Sequence, residues 1–456
     1  MLDEMPKSKK ASAAGPDRIS ALPDALLHHV LGFLHAREAV QTCVLAQRWR
    51  HVWKSLPVLR LTRDRGKVLS HKFLNHVLLL RDHAPLDVCL FEFSKGAKDE
   101  LPYINLWIRC ALLCQVRALT VTALIKRNNS LEKIYLDNLP VVSQYLKKLE
   151  LSSLQLYGKF LDFSSCPVLM DLLLTYCYIT ADKVSSQSLT CLTIEECRFS
   201  EDTRTRISTP SLISVRLVNI YGRTPFFEDM PSLGTATVQF NSNCVDFCDN
   251  DDSGYCGDAS CDGCYGTDDG SAGCVLLRGL SAATKLKLIS NPKVFILKRD
   301  LRFCPIFSKL KTLFVKGWCL DADLHALICI LKHSPILEDL TIDLFGNRRG
   351  YYNLSEDDED EEPKQMVPTV QSKAIFHALE QPFTLDNLNQ VKVKCYQVDL
   401  WVFNILKSLI TSGIPPKKIS IQQKSRLSEY VSLSPVQVLP QGRAEVCAAH
   451  GLTVFS

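Results

Sequence analysis

The pattern LxxLxL, with an aliphatic residue at each L, returns through this chain from Val116 to Val393 and constrains its fold more tightly than anything else in the sequence. It occurs as Val116-Leu119-Val121, Leu131-Ile134-Leu136, Leu146-Leu149-Leu151, Leu169-Leu172-Leu174, Leu189-Leu192-Ile194, Leu212-Val215-Leu217 and Leu233-Ala236-Val238. After a break come Ala283-Leu286-Leu288, Leu310-Leu313-Val315, Leu337-Leu340-Ile342 and Leu388-Val391-Val393. The LxL core has the two-residue period of a strand, so its apolar residues share one face and the residue between them faces the other way. Successive starts are 23, 20, 23 and 21 residues apart from Leu146 to Leu233, then 27 and 27 from Ala283 to Leu337. A period this short leaves room for one strand and one return segment per unit, with parallel strands stacked in chain order.

Cys177 and Cys197 each fall three residues after the second apolar residue of an LxL. With the period, this is similar to leucine-rich repeats, which commonly place Asn or Cys there. A residue at that point turns inward and must satisfy buried backbone groups. Two steps break the rhythm: 50 residues from Leu233 to Ala283 and 51 from Leu337 to Leu388. The first holds NSNCVDFCDNDDSGYCGDASCDGCYGTDDGSAGC and the second NLSEDDEDEEPKQ. Both are polar and aperiodic, so they read as long loops.

The other informative stretch is DRISALPDALLHHVLGFLHAREAVQTCVLAQRWRHVWKSLP from Asp17. Leu22, Leu26, Leu27, Val30, Leu31 and Leu34 recur at helical spacing, and Pro23 suits a first helical turn. Further apolar runs follow at Ala39, Val40, Cys43 and Val44, and at Trp49, Val52 and Trp53. Three short helices with this much apolar surface cannot bury it among themselves, and the surplus points to a docking face. The segment closely resembles the F-box, which recruits Skp-family adaptors of SCF ubiquitin ligases. The match runs through Leu22-Pro23, Leu26, Leu31, Leu34, Val44, Arg48-Trp49 and Trp53, and its wording is that of plant F-box proteins with leucine-rich repeats. Gln47 departs from the family, which often carries a basic residue there.

The resemblance implies an α/β chain: an N-terminal three-helix F-box, a curved leucine-rich-repeat solenoid and an α/β C-terminal cap. The expected boundaries are a disordered tail at 1–16, the F-box at 17–56, degenerate first repeats as a bridge at 57–115, and the solenoid at 116–345 with its Cys-rich loop at 241–274. An acidic loop at 346–372, a cap at 373–424 resembling the FBD module and a poorly ordered tail at 425–456 complete it. In the bridge, LPVLRL and PLDVCLFEF read as strands and HKFLNHVLLLRDH and LPYINLWIRCALL as helices.

A net charge of +4 on 456 residues demands neither nucleic acid nor membrane, and no run of eighteen apolar residues occurs. The polar N-terminus is not a signal peptide. Nineteen cysteines without a secretory signal point to a reducing compartment, cytoplasm or nucleus, with Cys89, Cys110, Cys114, Cys191 and Cys329 as small buried hydrophobes. HExxH, Walker A, GxGxxG and GxSxG signatures are absent. Zinc needs four converging soft ligands. Cys244, Cys248, Cys256, Cys261, Cys264 and Cys274 hold one CxxC at irregular spacing, and the EF-hand-like start at Asp249 lacks its Glu at position twelve. No metal or cofactor is expected, and the loop Asn243–Gly273 is expected to be dispensable for stability.

The resemblance therefore implies a non-catalytic substrate receptor that binds a Skp-family adaptor, through it a cullin, and an unknown target protein. A scaffold unconnected to a ligase and a metal-dependent enzyme built on the cysteine loop are the alternatives. Adaptor contacts are expected from Leu22, Pro23, Leu26, Val30, Leu31, Leu34, Val44, Trp49 and Trp53. Target contacts are expected on the concave strand face, where the middle residue of each LxL points outward: Glu150, Leu173, Thr193, Arg216, Thr237, Lys287, Phe314, Thr341 and Lys392.

Overall fold

The computed structural model describes residues 19, 21–62, 69–81, 83–94, 101–124, 134–136, 138–240, 244–248, 258, 261, 274–290, 294–317, 325–345, 385–424 and 430–433. The expected tail at 1–16, the acidic loop at 346–372, the start of the cap at 373–384 and most of the Cys-rich loop lie outside them. The chain divides into two compact units, residues 1–132 and 133–456. The F-box segment, the bridge and the first LxxLxL thus share one unit.

In the first unit, helices α1 (Asp24–Leu31) and α2 (Ala36–Gln41) precede three 3-10 turns, Thr42–Val44, Gln47–Arg50 and Val52–Ser55. The third expected helix is broken into single turns. Ala46 is extended (φ −159°, ψ 162°) and His51 leaves the helical region (φ −121°), so no i to i−4 ladder can run through them. Pro23 sits just before the helix, where its fixed φ of −56° still suits the entry. The bridge elements appear as expected: strand β1 (Val58–Leu61), helix α3 (His71–Leu80), strand β2 (Val88–Ser94) and helix α4 (Leu101–Leu113). Strand β3 (Ala118–Leu124) joins them in a parallel ladder that pairs Leu59 with Cys89 and Leu119, and Leu61 with Phe91 and Val121. Trp107 of α4 stacks on Phe93 with ring centroids 5.5 Å apart, and its Nε1 donates to Asn75 Oδ1 of α3 at 2.6 Å.

The second unit is built on a parallel ladder in strict chain order: β4 (Lys148–Ser152), β5 (Asp171–Thr175), β6 (Cys191–Glu195), β7 (Ser214–Val218), β8 (Thr235–Gln239), β9 (Lys285–Ser290), β10 (Thr312–Gly317), β11 (Asp339–Asp343), β12 (Gln390–Cys395) and β13 (Ile419–Lys424). The LxL residues stack in two buried rows, one from Leu149 through Leu172 and Leu192 to Ile419, the other from Leu151 through Leu174 and Ile194 to Ile421. Cys177 and Cys197 are buried as expected, and their thiols donate to the Leu151 and Leu174 carbonyls at 3.4 Å each. The turn residues Ser153, Tyr176, Glu196 and Asn219 share a left-handed φ of 60°, 54°, 52° and 50°. Each donates its N–H to the last carbonyl of the next strand, at 2.8 to 3.0 Å.

Both irregular steps leave the ladder unbroken: β8 pairs directly with β9, and β11 with β12. The inserted residues add chain without adding a strand to it. Return segments up to β8 include short strands, such as Tyr178–Ile179 and Lys183–Ser185. From β9 onward three of the return segments contain helices among the described residues, α5 (Phe295–Leu301), α6 (His325–Lys332) and α7 (Leu400–Thr411). A helix rises about 1.5 Å per residue against about 3.3 Å for a strand, so crossing the same distance takes more residues and the period lengthens. The motif at Leu131-Ile134-Leu136 does not join the ladder. Ile134–Tyr135 instead forms the edge of a separate parallel sheet with Leu154–Leu156, Tyr178–Ile179 and Arg198–Phe199.

The expected C-terminal cap continues the same ladder as strand, helix and strand. Asp399 Oδ1 accepts from the Val402 N–H at 3.0 Å to start α7, and Gly413 (φ 98°) ends it. The tail expected to lack order contributes strand β14 (Tyr430–Leu433), antiparallel to β13. Its Tyr-Val-Ser-Leu sequence has the β-branched and aromatic content of a strand.

The Cys-rich insertion is anchored at both ends. Cys244 bridges to Gly222, where φ is 80° and a Cβ would collide with the Phe199 carbonyl. Asp246 is buried, bound to the Arg204 guanidinium at 2.8 Å and accepting from the Thr224 N–H at 2.8 Å. At the far end, the buried Asp300 carboxylate accepts from the N–H groups of Val275, Leu276 and Leu277 at 2.9, 2.7 and 2.8 Å. Burial raises the Asp300 pKa, against the pull of these three donors. Residues 243–273, expected to be dispensable for stability, thus contain Asp246, the counter-charge of a buried arginine.

Candidate docking surfaces

Helix α1 carries large apolar residues on two faces, and only one is buried. Leu27 and Leu31 enter the core of the first unit, whereas Leu26 and Val30, also four apart, are 50% and 53% exposed. Phe33 follows at 68% with its ring edge-on to His29, and Val44 and Leu45 are exposed at 82% and 67%. Arg48 binds Asp24 at 2.6 Å and ties the start of α1 to the 3-10 turn at Gln47–Arg50. Of the expected adaptor contacts, Pro23, Leu26, Val30 and Val44 are exposed and Leu22 and Leu34 are half-buried. Leu31, Trp49 and Trp53 are corrected: all three are core side chains, with each tryptophan only 6% exposed. Ile19, Phe33 and Leu45 are exposed apolar residues that the helical spacing did not single out.

On the second unit, the residues expected to point outward fall in one unbroken register. Glu150 pairs with Leu173, then come Thr193, Arg216, Thr237, Lys287, Phe314, Thr341 and Lys392, with Ser420 of β13 following. None of the nine expected residues is buried. Rows two residues to either side share this face and decide its charge. Near the start the charges compensate: Lys148 binds Glu150 at 2.7 Å, and Arg216 binds Glu195 at 2.6 Å. Further along, Lys287 places its Nζ 4.8 Å from the Phe314 ring centroid, and Lys316 binds Asp343 at 3.5 Å. The Arg216 charge, expected to face a target, is already held by the neighbouring strand.

Among the described residues, the group that could hold a metal is one the sequence did not suggest: Cys304, Cys329 and His333, with ligand atoms within 4.8 Å of one another. Cys329 and His333 are four apart at the end of α6, and Cys304 comes from the turn after α5. His333 Nδ1 lies 2.8 Å from the Cys329 carbonyl and 4.0 Å from its sulfur. The Cys304 thiol beside it lowers the Cys329 pKa to about 7, against burial and with help from His333. Of the six loop cysteines, Cys256 and Cys264 lie outside the described residues. The sulfurs of Cys248 and Cys261 lie 3.7 Å apart, and Cys274 donates to the Phe303 carbonyl at 2.8 Å. No described helix is long and apolar enough to cross a membrane.

Residues 19–61 match the family model of the F-box domain. An F-box/LRR-repeat protein of Arabidopsis thaliana is 26% identical over 384 residues, 75% of this chain and 75% of that protein. An F-box/FBD/LRR-repeat protein of the same plant is 27% identical over 377 residues, 73% of this chain and 78% of that protein. The chain thus carries an F-box domain near its N-terminus and is homologous over much of its length to F-box/LRR-repeat and F-box/FBD/LRR-repeat proteins of Arabidopsis thaliana.

Proposed function

We propose that this chain is the substrate-recognition subunit of an SCF-type ubiquitin ligase. Its F-box holds a Skp-family adaptor and, through it, a cullin. Its leucine-rich-repeat solenoid, ending in the FBD-like α/β segment, holds the target protein. The chain supplies no catalytic residue and works by position, raising the effective concentration of target lysines at the ligase's catalytic partner. Cytoplasm or nucleus, where that machinery works, is its expected location.

The observation that carries this reading is the exposure of Leu26, Val30, Phe33, Val44 and Leu45 within a segment that matches the F-box. Large apolar groups left in water on short helical elements are the anchors from which interface energy comes. Co-purification with a Skp-family adaptor and a cullin tests it. Leu26→Ala with Val30→Ala is expected to weaken adaptor binding at least tenfold while leaving the melting temperature unchanged. A folded double variant that binds the adaptor at wild-type affinity overturns the docking assignment. A complex that never includes a cullin favours a scaffold.

A further inference from the structure

The strand face of the second unit is divided electrostatically. On β4 to β7 it carries Lys148, Glu150, Asp171, Glu195 and Arg216, and both cations are bound to carboxylates of the same face. On β9 to β12 it carries Lys285, Lys287, Lys316, Lys392 and Lys394 against Asp339 and Asp343. Asp343 is taken by Lys316. Lys285, Lys287 and Lys392 have no ion-pair partner among the described residues. Like charges gathered on neighbouring strands repel, and an arriving anion relieves that repulsion. In the same row, between Lys287 and Thr341, Phe314 turns its half-buried ring to the outside with the Lys287 ammonium beside it.

We infer that the face of β9 to β12 binds an acidic segment of a partner protein whose central apolar side chain packs on Phe314. This rests on the substrate-receptor reading and names the chemistry of the target. Neighbouring strands lie about 4.8 Å apart, so Lys287 and Lys392, three strands apart in one row, are separated by about 14 Å. An extended peptide advances about 3.3 Å per residue, so it meets the two lysines with carboxylates four or five positions apart and its apolar residue between them. Charge complementarity of this kind selects a partner and speeds its capture. Asp339 and Asp343 interrupt the face, which disfavours the uniform phosphate track of a nucleic acid.

The test selects a displayed library of random peptides, about twelve residues long, on the full chain. Recovered peptides are expected to carry two acidic residues four or five apart around a large apolar one. Their affinity should fall at least tenfold with Lys287→Glu plus Lys392→Glu, or with Phe314→Ala, and should also fall as salt rises. It should be unchanged by Arg216→Ala, whose charge is spent on Glu195. Lys287→Gln plus Lys392→Gln serves if the reversal disturbs the melting temperature, which is recorded for every variant. Recovery of no peptides, of peptides lacking the acidic pair, or of peptides indifferent to these changes overturns the inference. So does a duplex DNA probe that binds as tightly and through the same lysines. Adaptor binding, measured on the same variants, belongs to the first unit and reports separately on the ligase reading.

Discussion

Trp49 and Val44 are both large and apolar and lie five residues apart, yet one is core and the other faces water. Their roles under mutation should differ accordingly. Trp49→Ala leaves a cavity in the first unit and is expected to destabilise it by about 3–5 kcal/mol, seen as an earlier thermal transition. Val44→Ala should leave that transition in place, because the side chain it shortens is already solvated. Cys329 provides a second contrast. The neighbouring Cys304 lowers its pKa, so its reaction with a small alkylating agent should reach half its maximal rate below the usual thiol range. Cys304→Ala removes that neighbour while burial remains, and the midpoint should move upward. Rates followed by mass spectrometry across pH would refute this if the two proteins titrate together.

At the scale of elements, the Cys-rich insertion reaches back into the fold through Asp246. Removing that carboxylate leaves Arg204 buried without its counter-charge, a loss of about 3–5 kcal/mol. Asp246→Ala should therefore lower the stability of the second unit in a urea titration, and deletion of 243–273 should do the same. A deletion of 249–257 alone, which spares Cys244 to Cys248, should be nearly silent. Equal stability of the Asp246→Ala and wild-type proteins would show that the insertion is not a structural tie.

Across the whole chain, the second unit's ladder ends at β13, whose far edge is paired by β14. An uncovered strand edge presents free N–H and C=O groups to other chains. A chain truncated after Ser425 should consequently self-associate, seen as earlier elution and rising light scattering with concentration. A truncated protein that stays monodisperse would mean that β14 does not protect the edge. The helical returns α5, α6 and α7 and the direct pairing of β11 with β12 make the FBD-like segment two further turns of the same ladder.

The strand ladder was legible in the sequence because it rests on local alternation repeated at a nearly constant period. An LxL puts its own leucines on one face whatever surrounds it, and stacking identical units aligns Glu150 with Lys392 without long-range information. The buried thiols of Cys177 and Cys197 were legible for the same reason. The burial of Leu31 was not, because α1 is apolar on both faces and pattern alone does not say which one finds a core. That of Trp49 and Trp53 was not either, since they lie in single turns too short to show a periodic face. Nor was the binding of Arg216 to Glu195, of Arg204 to Asp246, or the meeting of Cys304, Cys329 and His333. Each joins residues from separate elements, tens of residues apart in all but the Cys329–His333 step. Local sequence determined which residues become strands and which way they face, since that follows from backbone geometry. Tertiary structure decided which charges are neutralised and which apolar groups stay in water, since both depend on what the packing of distant segments brings alongside.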